Sequence, residues 1–210
     1  MQNITITNLL IFITAGISLY AFNNEYFMEK WMMNPYTIYK KKEYYRFITS
    51  GFIHADYMHL IFNMFTFYYF GNMIERVYQA IHGNLGNVLY VLLYIVGIII
   101  SDIPTYLKNK NNYNYNSLGA SGGVSSVLFA GILFNPLAGM YLMFIPIPIP
   151  AFIFGGLYLL YTYTQSKRGR DGINHDAHLY GALFGIVFTI IIYPDVIPHF
   201  IEQLSNYRLF

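Results

Sequence analysis

Gly119-Ala120-Ser121-Gly122 follows a polar, Asn-rich run from Lys108 to Ser117 and opens an apolar, small-residue run that ends near Phe134. A hydroxyl between glycines at the mouth of an apolar segment is expensive in hydrocarbon, and such groups tend to mark function. The stretch predicts a membrane helix at about 118–134 that begins with a nucleophile, Ser121. Hydrolysis of an amide needs that nucleophile activated by a base within hydrogen-bond reach. His178, which opens another apolar run two segments later, is the candidate base.

Outward from this stretch the composition points the same way. Of 210 residues, 56% are hydrophobic, 20% aromatic and only 10% charged, against roughly 25% charged in soluble domains. Apolar runs close to the about 20 residues a bilayer requires recur along the chain. They predict an all-α membrane protein, a bundle of six transmembrane helices at about 6–21, 58–74, 87–100, 118–134, 151–163 and 177–192. No internal repeat or appended soluble domain is visible, so residues 1–210 read as one membrane domain. The first run lacks a basic leader and a small-residue cleavage site, and is expected to be a retained span. A net charge of +2 with no basic-aromatic patch argues against a nucleic-acid partner. Without cysteine there are no disulfides, thiolate metal sites or cysteine nucleophile.

Between the first two spans, residues 23–56 are too polar to cross and too aromatic for a plain linker, so an element lying in the interface is expected. The alternating prolines of Ile145-Pro146-Ile147-Pro148-Ile149-Pro150 suit an extended approach to the fifth span. Residues 165–176 read as a short charged loop.

In an alternating bundle the second, fourth and sixth spans start on one side of the membrane. His59, Ser121 and His178 sit at those three starts, so topology permits them to converge. Close approach needs small residues. Gly122, Ser126 and Ala130 recur every four positions on the fourth span, and Gly181 and Gly185 follow His178 at i+3 and i+7 on the sixth. The competing reading is that these helices merely pack and Ser121 bonds its own backbone. His59 and Asn63, at i and i+4, share a face and are either donors to a developing oxyanion or cross-helix hydrogen bonds. His54 braces the loop before them. The Gly-Ala-Ser-Gly-Gly string also fits a nucleophile elbow, but that motif needs a preceding strand and none is expected here. No His-Glu-x-x-His occurs, and His175-Asp176-Ala177-His178 sets two histidines at i and i+3 with no other cluster nearby in sequence, so neither metal nor cofactor is expected. Asp176, at i−2 from His178, is assigned to capping, which leaves a dyad and no triad.

Tyr45-Arg46-Phe47-Ile48-Thr49, His54 with His59 and Asn63, Glu75-Arg76, Gly119-Ala120-Ser121-Gly122, and Ala177-His178-Leu179-Tyr180-Gly181 with Gly185 fall in order across nearly the whole chain. Together they resemble the rhomboid family of intramembrane serine proteases, in a minimal six-span bacterial form. The resemblance implies Ser121 as nucleophile and His178 as base, with His59, Asn63 and the Ser121 N–H as oxyanion hole. It implies supporting roles for Arg46, His54, Glu75, Gly119, Gly122, Gly181 and Gly185. It makes 23–56 a partly submerged first loop held through Arg46, and 165–176 a flexible cap. The chain departs from the family pattern at Tyr45, at Val77, and at Ser125, where the family often carries an aromatic stacked on the histidine.

The function so implied is an endopeptidase that cuts transmembrane proteins inside the bilayer, in a bacterial inner membrane, near its outer face and with the amino terminus in the cytoplasm. The charge bias points to the opposite orientation, because Lys30, Lys40, Lys41, Lys42, Arg46, Lys108, Lys110, Lys167, Arg168 and Arg170 fall on the site's side and only Arg76 and Arg208 on the other. An alternative class is a catalytically inactive rhomboid-like protein that binds membrane clients; the presence of both Ser121 and His178 argues against it. A transporter would need charged or broken midplane helices, and none is evident.

Overall fold

The computed structural model describes residues 4–141, 148–168 and 172–207. Within them ten helices succeed one another: α1 (Ile6–Phe22), α2 (Glu25–Trp31), α3 (Pro35–Lys41), α4 (Arg46–Thr49), α5 (Tyr57–His82), α6 (Asn84–Asn109), α7 (Ser121–Phe134), α8 (Ala151–Arg168), α9 (His175–Ile192) and α10 (Val196–Ser205). The six apolar runs of the sequence lie in α1 and in α5 to α9. Several of the helices run on beyond those apolar runs. The helical hydrogen bonds of α5 continue past its apolar part, through Glu75 and Arg76, until Gly83 turns the chain at φ 59°. Likewise α6 runs on to Asn109 and α8 to Arg168, while α9 begins at His175. Of these helices, α6 and α9 have the length and hydropathy of a membrane span; α1 and α7 are apolar but shorter.

The centre of the molecule is α7. Every residue from Gly122 to Ile132 is buried, the state expected of a helix that is apolar all round. Against it pack α5, α6 and α9. Where α7 meets α9, a methyl group at Gly181 would collide with the Gly122 carbonyl, and one at Gly185 with the Ser126 carbonyl. The two backbones therefore touch at the glycines of α9. Ser126 Oγ bonds both Gly122 O (3.0 Å) and Gly181 O (2.9 Å), which ties the contact together.

Polar side chains close the helix ends that apolar residues cannot. The Glu75 carboxylate of α5 accepts from Ile6 N (2.8 Å), Thr7 N (2.8 Å) and Thr7 Oγ1 (2.7 Å), holding the amino end of α1. Thr7 Oγ1 in turn meets the buried Tyr90 hydroxyl at 2.7 Å. At the far end of α7, Gln203 of α10 donates to Phe134 O (3.2 Å). Helix α10 was not expected from the sequence.

Residues 23–56 fold as α2, α3, α4 and a short 3₁₀ turn, Ser50–Phe52. The side chain of Arg46 is the tie. It donates to Glu29 O (2.8 Å), Met32 O (2.8 Å) and Glu43 Oε2 (2.7 Å). This segment then sets the approach to α7, because Met33 and Ser117 exchange backbone bonds of 2.9 Å and Gly119 N donates to Ser50 O at 2.9 Å. Of the proline-rich stretch, Ile149–Pro150 is extended and pairs antiparallel with Gly139–Met140, as alternating prolines allow; its earlier part, through residue 147, lies outside the described residues. So do residues 169–171 of the expected cap.

Candidate active site

Ser121 is the first residue of α7. Helix N–H groups ahead of the first intrahelical bond have no partner in the helix. Here the first such bond is Val124 N to Ala120 O, at 2.9 Å. The N–H groups of Ser121, Gly122 and Gly123 thus form the positive end of a buried helix, directly beside the hydroxyl. The chain reaches that point through Gly119 at φ 123°, a conformation that L side chains rarely adopt. Space excludes a side chain there as well: a Cβ at Gly119 would lie 2.6 Å from His59 Cε1 and 2.8 Å from Nε2.

His59 stands in the first turn of α5, whose cap is Asp56: its carboxylate accepts from His59 N at 2.8 Å. His59 Nδ1 accepts from Ala55 N at 3.5 Å, and a neutral ring bonded in that way carries its proton on Nε2, over Gly119. One turn on, Asn63 Nδ2 donates to His59 O (2.9 Å); an amide nitrogen has two hydrogens, so one remains for another acceptor. His54 is wholly buried. Ser18 Oγ donates to Phe52 O (3.1 Å) and so receives the Nδ1 proton of His54 at 2.9 Å, while His54 Nε2 accepts from Ala120 N at 3.4 Å. This neutral imidazole links α1 to the residue before Ser121. Burial first, and the neighbouring His59 second, push it down to about 3.

His178 lies in the first turn of α9. The cap of that helix is Asn174, whose side chain accepts from Ala177 N (3.1 Å), and not Asp176 as the sequence suggested. Asp176 Oδ2 instead pairs with Lys108 Nζ at 2.7 Å, because at the second helical position its carboxylate points outward to the end of α6. An Asn just ahead of an apolar run is a capping signal in its own right, and Asn174 was legible on those grounds. The carboxylate of Asp176 is thus directed to a lysine and not to the imidazole.

Four of the sequence's candidates, His59, Asn63, Ser121 and His178, line one cavity of about 580 Å³ between α5, α7, α8 and α9. Its remaining walls are mainly apolar, with Phe62, Phe65, Phe70, Leu128 and Phe154 among them. Gly119 and His54 lie directly behind it. Gly122, Gly181 and Gly185 set the α7–α9 contact that presents Ser121 and His178, whereas Arg46 and Glu75 act at a distance, on the first loop and on α1. A lining residue that the sequence did not disclose is Tyr158 of α8. It stacks on His178 with ring centroids 6.2 Å apart and planes 9° from parallel, and its hydroxyl meets Ser125 Oγ at 2.8 Å. An aromatic against His178 is therefore present, supplied by α8 and not by the position four after Ser121. No local pattern links residues 125 and 158.

The family model that matches is Rhomboid domain, over residues 41–195. RHOMBOID-like protein 12, mitochondrial, of Arabidopsis thaliana is 28% identical over 185 residues, which cover 82% of this chain and 54% of that protein. Rhomboid-like protein 11, chloroplastic, of the same plant is 27% identical over 190 residues, 86% of this chain and 62% of that protein. Putative rhomboid protease YdcA of Bacillus subtilis is 29% identical over 153 residues, 71% of this chain and 67% of that protein. The chain thus spans little more than half the length of the first of these relatives. They come from plant organelles and from a bacterium, so the bacterial inner membrane expected from sequence is not supported; the family places the chain in a membrane and goes no further.

Proposed function

The chain belongs to the rhomboid family of membrane proteins, and on that premise we propose that it is a serine endopeptidase that cuts transmembrane proteins through Ser121 and His178. The observation that carries this reading is the meeting of His59, Asn63, Ser121 and His178 in one apolar cavity, from the starts of three separate helices. The single membrane domain it requires has six spans, α1 and α5 to α9, with α2 to α4 lying in the interface.

In this reading Ser121 Oγ attacks the scissile carbonyl while His178 takes the hydroxyl proton. The oxyanion that forms meets the Ser121 N–H at the positive end of α7, with Asn63 Nδ2 and His59 Nε2 as further donors. His178 then passes its proton to the departing amine, and a water deprotonated by the same imidazole releases the acyl group from Ser121. A helical substrate has its carbonyls bonded already, so the cut segment must unwind locally. Substrates therefore carry helix-weakening residues at the site of cleavage. The apolar walls lower the local dielectric and make each donor worth more than in solution.

Labelling with a serine-directed fluorophosphonate, with the modified residue mapped by mass spectrometry, tests the reading. Covalent label on Ser121, lost in Ser121→Ala and in His178→Ala, is the expected result. A folded chain that binds membrane clients yet takes no label at Ser121 would identify the inactive class instead.

A further inference from the structure

Tyr158 and Tyr161 stand one turn apart on α8, and His175 and His178 one turn apart on α9. The two helices are antiparallel neighbours, and their rings meet in matched pairs. Tyr158 lies parallel to His178 at 6.2 Å, and Tyr161 meets His175 edge-on at 5.4 Å and 83°. His175 and His178 also touch one another edge-on at 6.0 Å. These four rings form a ladder that sets the register of α9's first turn against α8. The rung at Tyr158 is fastened on its other side as well. Its hydroxyl bonds Ser125 Oγ, and its ring packs on Phe129 at 5.6 Å, both on α7. Ser125 is 3% exposed, so removing its partner would strand a buried hydroxyl.

We propose that Tyr158 is the positioning residue for His178, with Ser125 fixing the tyrosine in turn. An imidazole that serves as base for a neighbouring hydroxyl must be held in orientation by a third group. Tyr158 does it by stacking, and because Ser125 sits one helical turn beyond Ser121, the chain Ser125–Tyr158–His178 references the base to the helix that carries the nucleophile. Both Ser125 and Tyr158 line the cavity beside Ser121, so the clamp and the reacting groups occupy one wall. The inference rests on the serine-protease reading above.

The test is a set of variants assayed per active site, with Ser121 titrated by fluorophosphonate. Tyr158→Leu removes the ring and should lower kcat on the order of 10- to 100-fold with KM little changed, since misplacing a catalytic group costs this much. Its labelling rate at Ser121 should fall in step. Tyr158→Phe keeps the ring and should lose less than about 10-fold, the loss of one buried hydrogen bond. Ser125→Tyr alone should be inactive, since Tyr158 already fills the space in front of Ser125. Adding Tyr158→Ser to it returns a ring to the histidine from α7 and a hydroxyl from α8, and should restore at least about 10-fold over either single variant, as coupled neighbours do. Separately, ring-current shifts of the His178 protons should be lost in Tyr158→Leu and kept in Tyr158→Phe, whatever the activity. Unchanged kcat per titrated Ser121 in Tyr158→Leu, or unchanged His178 shifts, would overturn the inference while leaving the protease intact. A wild-type chain that takes no label overturns the protease reading and this inference with it.

Discussion

At the residue scale, Ser121 and His178 drew notice in the sequence because each stands at the start of an apolar run, where a hydroxyl or an imidazole is costly, and the structure sets both on the cavity wall. His59 and Asn63 were readable as a pair by their four-residue spacing, and the structure sets both on the cavity wall. Each is expected to slow turnover when replaced by alanine, by on the order of 10- to 1,000-fold, without abolishing it, because the Ser121 N–H remains. Kinetics on detergent-solubilised enzyme check this, with the folded fraction measured in parallel. Tyr158 was invisible in the sequence, since a stacking partner on another helix leaves no local spacing. His54 carries a different expectation. Its folded value of about 3 lies below its ordinary 6.5, so between these values the unfolded chain binds the proton that the folded chain refuses. Stability is therefore complete above pH 6.5 and declines on acidification, by up to about 1.4 kcal/mol per pH unit. Thermal unfolding of the wild type and of His54→Gln should diverge in slope between pH 6.5 and 5, with the variant flatter.

At the scale of elements, the glycines of α7 and α9 were read as a close-packing stripe, and the backbone contact at Gly181 and Gly185 has that form. Gly185→Ala is expected to destabilise by about 1–3 kcal/mol or more, because the added methyl meets the Ser126 backbone and not a yielding side chain. Chemical denaturation monitored by tryptophan fluorescence or circular dichroism measures it, and Gly156→Ala, where nothing lies within 4 Å, serves as the control. Helix ends were less legible than helix existence. Hydropathy falls where the apolar surface stops, but hydrogen bonding carries α5 on to Gly83 and α6 on to Asn109. A helix such as α10, amphipathic and short, offers no span-length signal at all. Its contact with Phe134 O is a capping interaction between distant segments, which only the folded chain displays.

At the scale of the whole molecule, alternation of spans was the sequence's ground for expecting three helix starts to converge, and the structure brings residues from the starts of α5, α7 and α9 to one cavity. Orientation is the open contest between family resemblance and the lysines of 23–56. We expect the site to face the outer side, with α2 to α4 anchoring those lysines in the interface. Alkaline phosphatase fused at Asn112, between α6 and α7, should then be active, and fused at Gly83, between α5 and α6, inactive; the reverse pattern would place Ser121 near the cytoplasmic face. The central claim, that Ser121 and His178 act as one unit, is tested most directly by turnover of a single-span membrane substrate with wild type, Ser121→Ala, His178→Ala and the double variant. All three variants should fall to one common residual rate, since losses within a unit do not add. Cleavage at an unchanged site by Ser121→Ala, or losses that multiply in the double variant, would contradict it.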